Sequence, residues 1–539
     1  MTAPAEDGRV LAIVPSATLL GLEGRSIRVE VDVAPGLPGF TIVGLADTAL
    51  QEARERIRGA IRNAGYIHPP RRITVNLAPA ELRKAGSSLD LAMAMGILLG
   101  SEQVRPGGGR IGLIGELSLG GEVRVVPGIL PMAAAMARRG VDRLIVPAGA
   151  EAEARLVAGL DVEPVESLVE AAALVAGARR SRIVRTRPTR VGLEARRTGA
   201  EGEGQDDGVG HASLRPSVVI PDLAEVRGQV EARRGLEIAL AGGHGLLLIG
   251  PPGSGKTLLA RTIPALLPPL DDEAAMAVSI VASAAGDGPL TALRRSAPFR
   301  APHHTISYAG MVGGGPRLSP GEVTLADHGV LFLDELPEFD RDVLEALRQP
   351  LEEGRVAIAR AGRNTSFPAR FQLIAAMNPC PCGFAGAPGR TCSCALNVPE
   401  RYQKRISGPL RDRIDLSIAM PRVPPAALVA AVPAEASAAV ADRIAIARAT
   451  AMHRQSGRLN GRLSGDDLRA MVRLTTQTRR HAVALAELEG ASGRGTERIL
   501  RVARTIADLA GAPDVTTMHL DEAAWYRSPD HRRANARAV

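Results

Sequence analysis

The 539-residue chain carries 66 Lys and Arg against 58 Asp and Glu, a formal charge of 66 − 58 = +8, with 45% hydrophobic and only 2% aromatic residues. That length allows three or four domains with separate cores, built from Leu, Val, Ile and Ala. The basic balance favours a polyanionic partner, the scarcity of rings excludes a nucleic-acid site made of stacked aromatics, and no apolar run is long enough to cross a bilayer.

Residues 1–175 read as one α/β domain. Ile27–Val33 alternates as a strand, 47–63 carries a helical pattern, Ile73–Leu77 is a second strand, 88–99 a buried helix, and Arg143–Pro147 a later strand. The N-terminus bears Glu6 and Asp7 in place of a basic leader, so a cytoplasmic location is expected. From Arg179 to Arg197 the chain has eight arginines and one acid, and four acids follow between Glu201 and Asp207. Such blocks without apolar periodicity read as a flexible charged linker, 176–215.

A nucleotide-binding core is expected over 216–425. Leu246–Ile249 is a short apolar strand, and Gly250-Pro251-Pro252-Gly253-Ser254-Gly255-Lys256-Thr257 after it fits G-x-x-x-x-G-K-[ST]. Glycines let successive N–H groups turn inward around phosphate oxygens, Lys256 reaches the β/γ-phosphates, and the Thr257 hydroxyl joins the Mg²⁺ shell. Only three lysines occur, Lys84, Lys256 and Lys404. One kept here implies a need for a compact ammonium where a planar guanidinium would not fit. ATP and Mg²⁺ are the expected cofactors.

Val330–Leu333 is an apolar strand ending in Asp334 and Glu335. In a P-loop protein Asp334 would hold Mg²⁺ and Glu335 would orient or deprotonate the attacking water. Arg355–Arg370 reads as a β-hairpin turning at 361–364, with Arg360 and Arg363 near its tip. They could meet phosphates without sequence preference, or be ordinary basic residues of a solvated hairpin. The strand 371–377 ends in Asn378, either a turn residue before Pro379 or a sensor of the γ-phosphate or lytic water.

The four cysteines, Cys380, Cys382, Cys392 and Cys394, fall within fifteen residues. Zinc ligation, reduced structural thiols and a redox switch stand as alternatives, in that order. His303 and His304 read as a structural loop pair and are assigned no metal. A helical region, 426–539, completes the chain. Ser492–Glu497 opens one helix there, with Ile499, Val502, Ala503, Ile506 and Leu509 on its apolar stripe.

The order of P-loop, Leu331-Phe-Leu-Asp-Glu335, Ala376-Met-Asn-Pro379 and Leu410-Arg-Asp-Arg413-Ile-Asp-Leu416 resembles an AAA+ ATPase of the magnesium-chelatase/MCM-like branch. Phe299–Ser307, Gly313-Gly-Gly315, Pro320-Gly-Glu322 and Ser407–Leu410 resemble the YifB/ComM proteins more closely. The resemblance implies an α/β fold: an AAA+ P-loop core with a helical lid, preceded by a Lon-protease-like, ribosomal-S5-type domain. Arg413 then matches the arginine finger, with Arg411 as the alternative, and Arg494 the sensor-2 arginine approaching the same phosphate from the lid.

A finger acting in trans implies a homohexamer. The family implies a DNA motor, a helicase or branch-migration enzyme of natural transformation or recombination, working on single-stranded or branched DNA with Arg360 and Arg363 in the ring pore. A chelatase motor subunit serving a protein partner and a nucleotide-gated scaffold are the alternatives. In the first domain Gly86-Ser87-Ser88 falls where the protease group has its serine, but no lysine lies between Lys84 and Lys256. No peptidase activity is therefore expected.

Overall fold

A computed structural model of the chain describes residues 2–4, 10–44, 48–81, 86–178, 219–315, 318–360, 363–386, 390–424 and 434–527. The expected linker falls almost wholly outside them, as does Lys84. The described residues form two compact units, one of residues 1–218 with 282–293 and one of 219–281 with 294–539.

The first unit holds a five-stranded sheet in the order Thr2–Pro4, Val10–Leu20, Glu23–Ala34, Arg72–Ala78, Gly39–Val43, antiparallel except for the last pair. A three-stranded parallel sheet runs Asp161–Val165, Arg143–Pro147, Ile111–Leu113. Alternation puts Ile27, Val29, Val31 and Val33 inward beside Ile73, Val75 and Leu77. The helix Asp90–Gly100 is buried at every position, as an all-apolar run requires. Its first residue is the exception. Asp90 is fully buried, and Arg56 Nε donates to its Oδ2 at 2.8 Å. Burial still pushes its pKa up to about 6.

The second unit is built on a parallel five-stranded sheet in the order Phe299–Arg300, Val330–Leu333, Gln372–Met377, Leu246–Ile249, Leu416–Ala419. Strands covered on both faces read as apolar runs, as the three central ones do, whereas the edge strand Phe299–Arg300 carries an arginine and the edge strand Leu416–Ala419 alternates in burial. Crossovers bring the carboxyl ends of three strands to one edge, where open α/β sheets bind ligands. Ile249 pairs with Met377 and Leu333 with Ala375, so the P-loop, Asp334 and Asn378 leave the sheet side by side. The expected hairpin forms from Arg355–Arg360 and Arg363–Pro368, and its register sets Arg360 opposite Arg363. Residues 361–362 lie outside the described residues.

Helices Ser437–Arg454, Gly465–Val472, Thr476–Leu488, Gly493–Leu509 and Thr517–Trp525 complete this unit. Ser492 caps Gly493–Leu509 by accepting from the Gly495 N–H, and Ile499, Val502, Ala503 and Ile506 enter the core. The opposite side of that helix is also buried, around charge. Arg504 is 1% exposed and donates to Asp508, which also accepts from Arg454 and Asn460. Asp508 thus gathers donors from three residues, which is how a carboxylate survives away from water.

Candidate nucleotide-binding site

The loop after Leu246–Ile249 is shaped by glycine. Gly253 and Gly255 take φ of +77° and +91°, and an added Cβ at either would meet open space. The backbone around both therefore stands clear of other atoms, as a cradle for phosphate oxygens requires. At Gly250 the demand is opposite, since a Cβ would stand 2.2 Å from the Met420 carbonyl oxygen. The loop is tied down by Gln229, whose amide donates to the carbonyls of Ser254 at 3.0 Å and Pro421 at 2.7 Å. Ser254 Oγ is buried and, among the described residues, has no hydrogen-bond partner.

Lys256 lies largely buried beneath this cradle, donating to the Gly250 carbonyl at 2.8 Å, the Pro251 carbonyl at 3.1 Å and Asn378 Oδ1 at 3.2 Å. Burial lowers its pKa, and the charges of Asp334 and Glu335 act against that shift. Thr257 Oγ1 donates to Asp334 Oδ2 at 2.6 Å, so the two oxygens expected to share a divalent ion already face one another. Glu335 takes φ of +53°, rare for a side chain of its type, and its N–H donates to Asp334 Oδ1. His304 Nδ1 lies 3.4 Å from Glu335 Oε2, with the His303 ring 4.1 Å from that of His304. The histidine pair expected to be structural thus borders the acidic strand end. Glycine cradle, buried ammonium, hydroxyl–carboxylate pair and orphan Ser254 hydroxyl together fit a magnesium nucleotide.

Arg413 and Arg494 lie elsewhere. Both line a cavity of about 290 Å³ with Gly245, Gln372, Arg462 and Arg501, at the amino ends of the strands whose carboxyl ends hold the P-loop. Arg413 pairs with Glu352. The resemblance has Arg494 approach the phosphate from the lid; within one chain the sheet separates it from the P-loop, and it lines the same cavity as Arg413.

Two residues beyond Arg413, the buried Asp415 accepts from His244 Nδ1 at 2.9 Å and Arg501 Nη2 at 3.1 Å. Burial alone would push its pKa up, but these bonds outweigh it and hold it below the usual carboxylate range. His244 Nε2 meets Thr505 Oγ1 at 2.8 Å, which ties the helix Gly493–Leu509 to the segment bearing Arg413. Arg411 turns aside to the Gln403 carbonyl.

Among the described residues, Cys380, Cys382, Cys392 and Cys394 form a group whose ligand atoms lie within 4.8 Å of one another, a geometry that can hold a metal ion. In the first unit Ser88 is buried and donates to the Ala17 carbonyl at 3.1 Å. The backbone of Arg360 and Arg363 is described, and their side chains lie outside the described residues.

Comparison with known proteins decides the family. The family model described as magnesium chelatase, subunit ChlI, matches residues 222–428; those for subunit ChlI of Mg-chelatase and for its C-terminal part match 29–150 and 434–527. The YifB protein of Escherichia coli is 41% identical over 522 residues, 96% of this chain and 97% of its own length. The chain belongs to the YifB/ComM family of magnesium-chelatase-like AAA+ ATPases. Competence protein ComM of Haemophilus influenzae is 39% identical over 521 residues, 96% of this chain and 97% of its own. A DNA replication licensing factor MCM3 homolog of Zea mays is 28% identical over 170 residues, 32% of this chain and 19% of its own. Membership carries the AAA+ core and ATPase chemistry, and with them ATP and Mg²⁺. No helix among the described residues is long and apolar enough to cross a membrane.

Proposed function

We propose that the protein is an ATP-driven DNA motor, a homohexameric helicase or branch-migration enzyme of recombination or natural transformation. One observation carries the reading. The phosphate-binding residues and the pair Arg413 and Arg494 stand at opposite ends of one parallel sheet. A single chain cannot join them, whereas a ring of copies sets one subunit's arginines at the next subunit's loop.

The magnesium nucleotide, when bound, supplies the phosphoanhydride to be cleaved and the divalent charge beside it. Lys256 exchanges the Gly250 and Pro251 carbonyls for phosphate oxygens, and Thr257 and Asp334 offer their oxygens to the divalent ion. Glu335, steadied by His304, takes the proton of the attacking water, which Asn378 orients. Arg413 and Arg494 of the adjoining copy balance charge developing on the phosphate.

The substrate is read as single-stranded or branched DNA, on three supports. They are the +8 charge, the hairpin with Arg360 and Arg363 at its end, and the likeness to proteins named for competence and replication licensing. We read the four cysteines as a zinc site. The first domain we read as a Lon-protease-like assembly or binding module without peptidase activity, since Ser88 is buried and committed to a carbonyl. The location we expect is the cytoplasm.

ATPase and strand-displacement assays on single-stranded, duplex and branched DNA test the proposal, with Glu335→Gln as the hydrolysis-dead comparison. DNA-stimulated turnover with displacement supports it. Turnover indifferent to DNA but dependent on a porphyrin-binding partner would favour the chelatase-subunit reading, which the three family matches also permit.

A further inference from the structure

The chain leaves the strand Gln372–Met377 through Asn378 and Pro379 and turns at once into the cysteine cluster. Cys380 is therefore two residues from the amide that touches Lys256. Sulfur separations are 3.3 Å for Cys380–Cys382, 3.5 Å for Cys382–Cys392 and 3.7 Å for Cys380–Cys392. Four thiolates about 2.3 Å from a tetrahedral zinc stand about 3.8 Å apart, whereas a disulfide needs about 2.0 Å. The spacing suits an ion and excludes a closed disulfide. The Ala385 N–H is directed at Cys380 Sγ at 3.2 Å, the kind of donor that steadies a metal-bound thiolate.

The turn bearing Cys382 also rests on the phosphate-binding loop. Gly383 takes φ of +84°, and a Cβ there would stand 2.4 Å from Pro252 Cδ. Phe384 lies under the guanidinium of Arg422 at 5.5 Å, and Arg422 Nη2 is 3.5 Å from the Pro252 carbonyl oxygen. Pro252 is therefore touched by the cysteine turn and by the arginine that covers the next residue of that turn. Residues 379–386 and 390–397 contain no helix or strand, so backbone pairing does little to fix this turn.

We infer that zinc held by Cys380, Cys382, Cys392 and Cys394 clamps the Gly383 turn against Pro252, so that nucleotide affinity depends on the cluster being metallated. This rests on reading the Gly250–Thr257 loop as the nucleotide site. Without the ion the turn is free to leave Pro252, and the cradle loses a wall. With it, the loop is preorganised for phosphate.

The test uses the full chain purified without chelator. Elemental analysis should find about one zinc per chain. Affinity for a fluorescent ATP analogue with Mg²⁺ is then measured before zinc removal, after removal with an organomercurial and chelator, and after zinc is restored. Removal should weaken binding by about ten-fold or more, and restoration should recover it. Gly383→Ala keeps all four thiols; it should retain zinc and lose affinity by a similar factor, which decides the matter if the metal-free chain unfolds by circular dichroism. Absence of zinc from the wild type, unchanged affinity in a folded metal-free protein, or, where the metal-free chain unfolds, unchanged affinity of Gly383→Ala overturns the inference. A chain that holds zinc but binds no nucleotide overturns the ATPase reading and the coupling with it, whereas missing zinc leaves that reading standing.

Discussion

Mixing two dead variants tests the separation of the lysine from the arginine most directly. The strand Leu246–Ile249 is four residues long, and Gly245 before it lines the Arg413 cavity while Gly250 after it opens the P-loop. At about 3.3 Å per residue the five steps from Gly245 to Gly250 span roughly 16 Å, beyond the reach of one arginine along the sheet. Lys256→Ala should abolish turnover by losing the phosphate contact. Arg413→Ala should lower kcat by about 10³-fold or more, near 4 kcal/mol, with nucleotide affinity little changed. The fold should survive, because the pair lost with Glu352 is partly exposed and such pairs contribute about 0–1 kcal/mol.

Neither variant works alone, but a 1:1 mixture places an intact P-loop beside an intact arginine at about one quarter of the interfaces of a closed ring, from two independent choices of one half. Subunits exchanged before assay should therefore recover about a quarter of wild-type ATPase activity, measured by coupled phosphate release. A mixture no more active than its parts, or an Arg413→Ala protein with normal kcat, refutes the reasoning.

Gln229→Ala removes both donors that tie the Ser254 and Pro421 carbonyls, and should weaken binding of a fluorescent nucleotide by about 10- to 100-fold with the fold intact. Arg360→Glu with Arg363→Glu should eliminate DNA stimulation of the ATPase while sparing nucleotide binding, read by DNA-titrated turnover; undiminished stimulation would remove the hairpin from the DNA path. Asp90 gives a pH test. Its folded pKa of about 6 lies above the unfolded carboxylate near 3.9, so the native state favours the proton. That contribution is fully present below about pH 4 and is lost as pH rises through about 6. Urea unfolding of Asp90→Asn, followed by circular dichroism, should show less decline in stability over this interval than the wild type.

The legible parts of the site were those in which one local stretch states its chemistry. The glycine spacing before Lys256, the apolar run into Asp334 and Glu335, and the polar stop at Asn378 each declare themselves within ten residues, and parallel pairing then sets them side by side. Gln229 carried no signal, because an isolated glutamine becomes a tether only when a helix start meets a loop twenty-five residues on. The contact of Gly383 with Pro252 joins segments 131 positions apart, and only the fold brings them together. The buried pair Arg504 and Asp508 sat inside a segment whose apolar stripe was plain, on the side that periodicity assigns to water. For Arg494 the motif named a role, but the direction in which it points depends on how the helices close over the sheet.

The bonds from Asp415 to His244 and Arg501, continued from His244 to Thr505, bolt the long C-terminal helix to the base of the sheet. Breaking one partner of such a buried group costs about 3–5 kcal/mol, so thermal jostling does not undo it. Arg413, two residues before Asp415, therefore shares its anchorage with that helix, as the jaw of a wrench shares its handle. In the proposed ring, a displacement of that helix in one subunit would be felt at the next subunit's fuel as a change of grip.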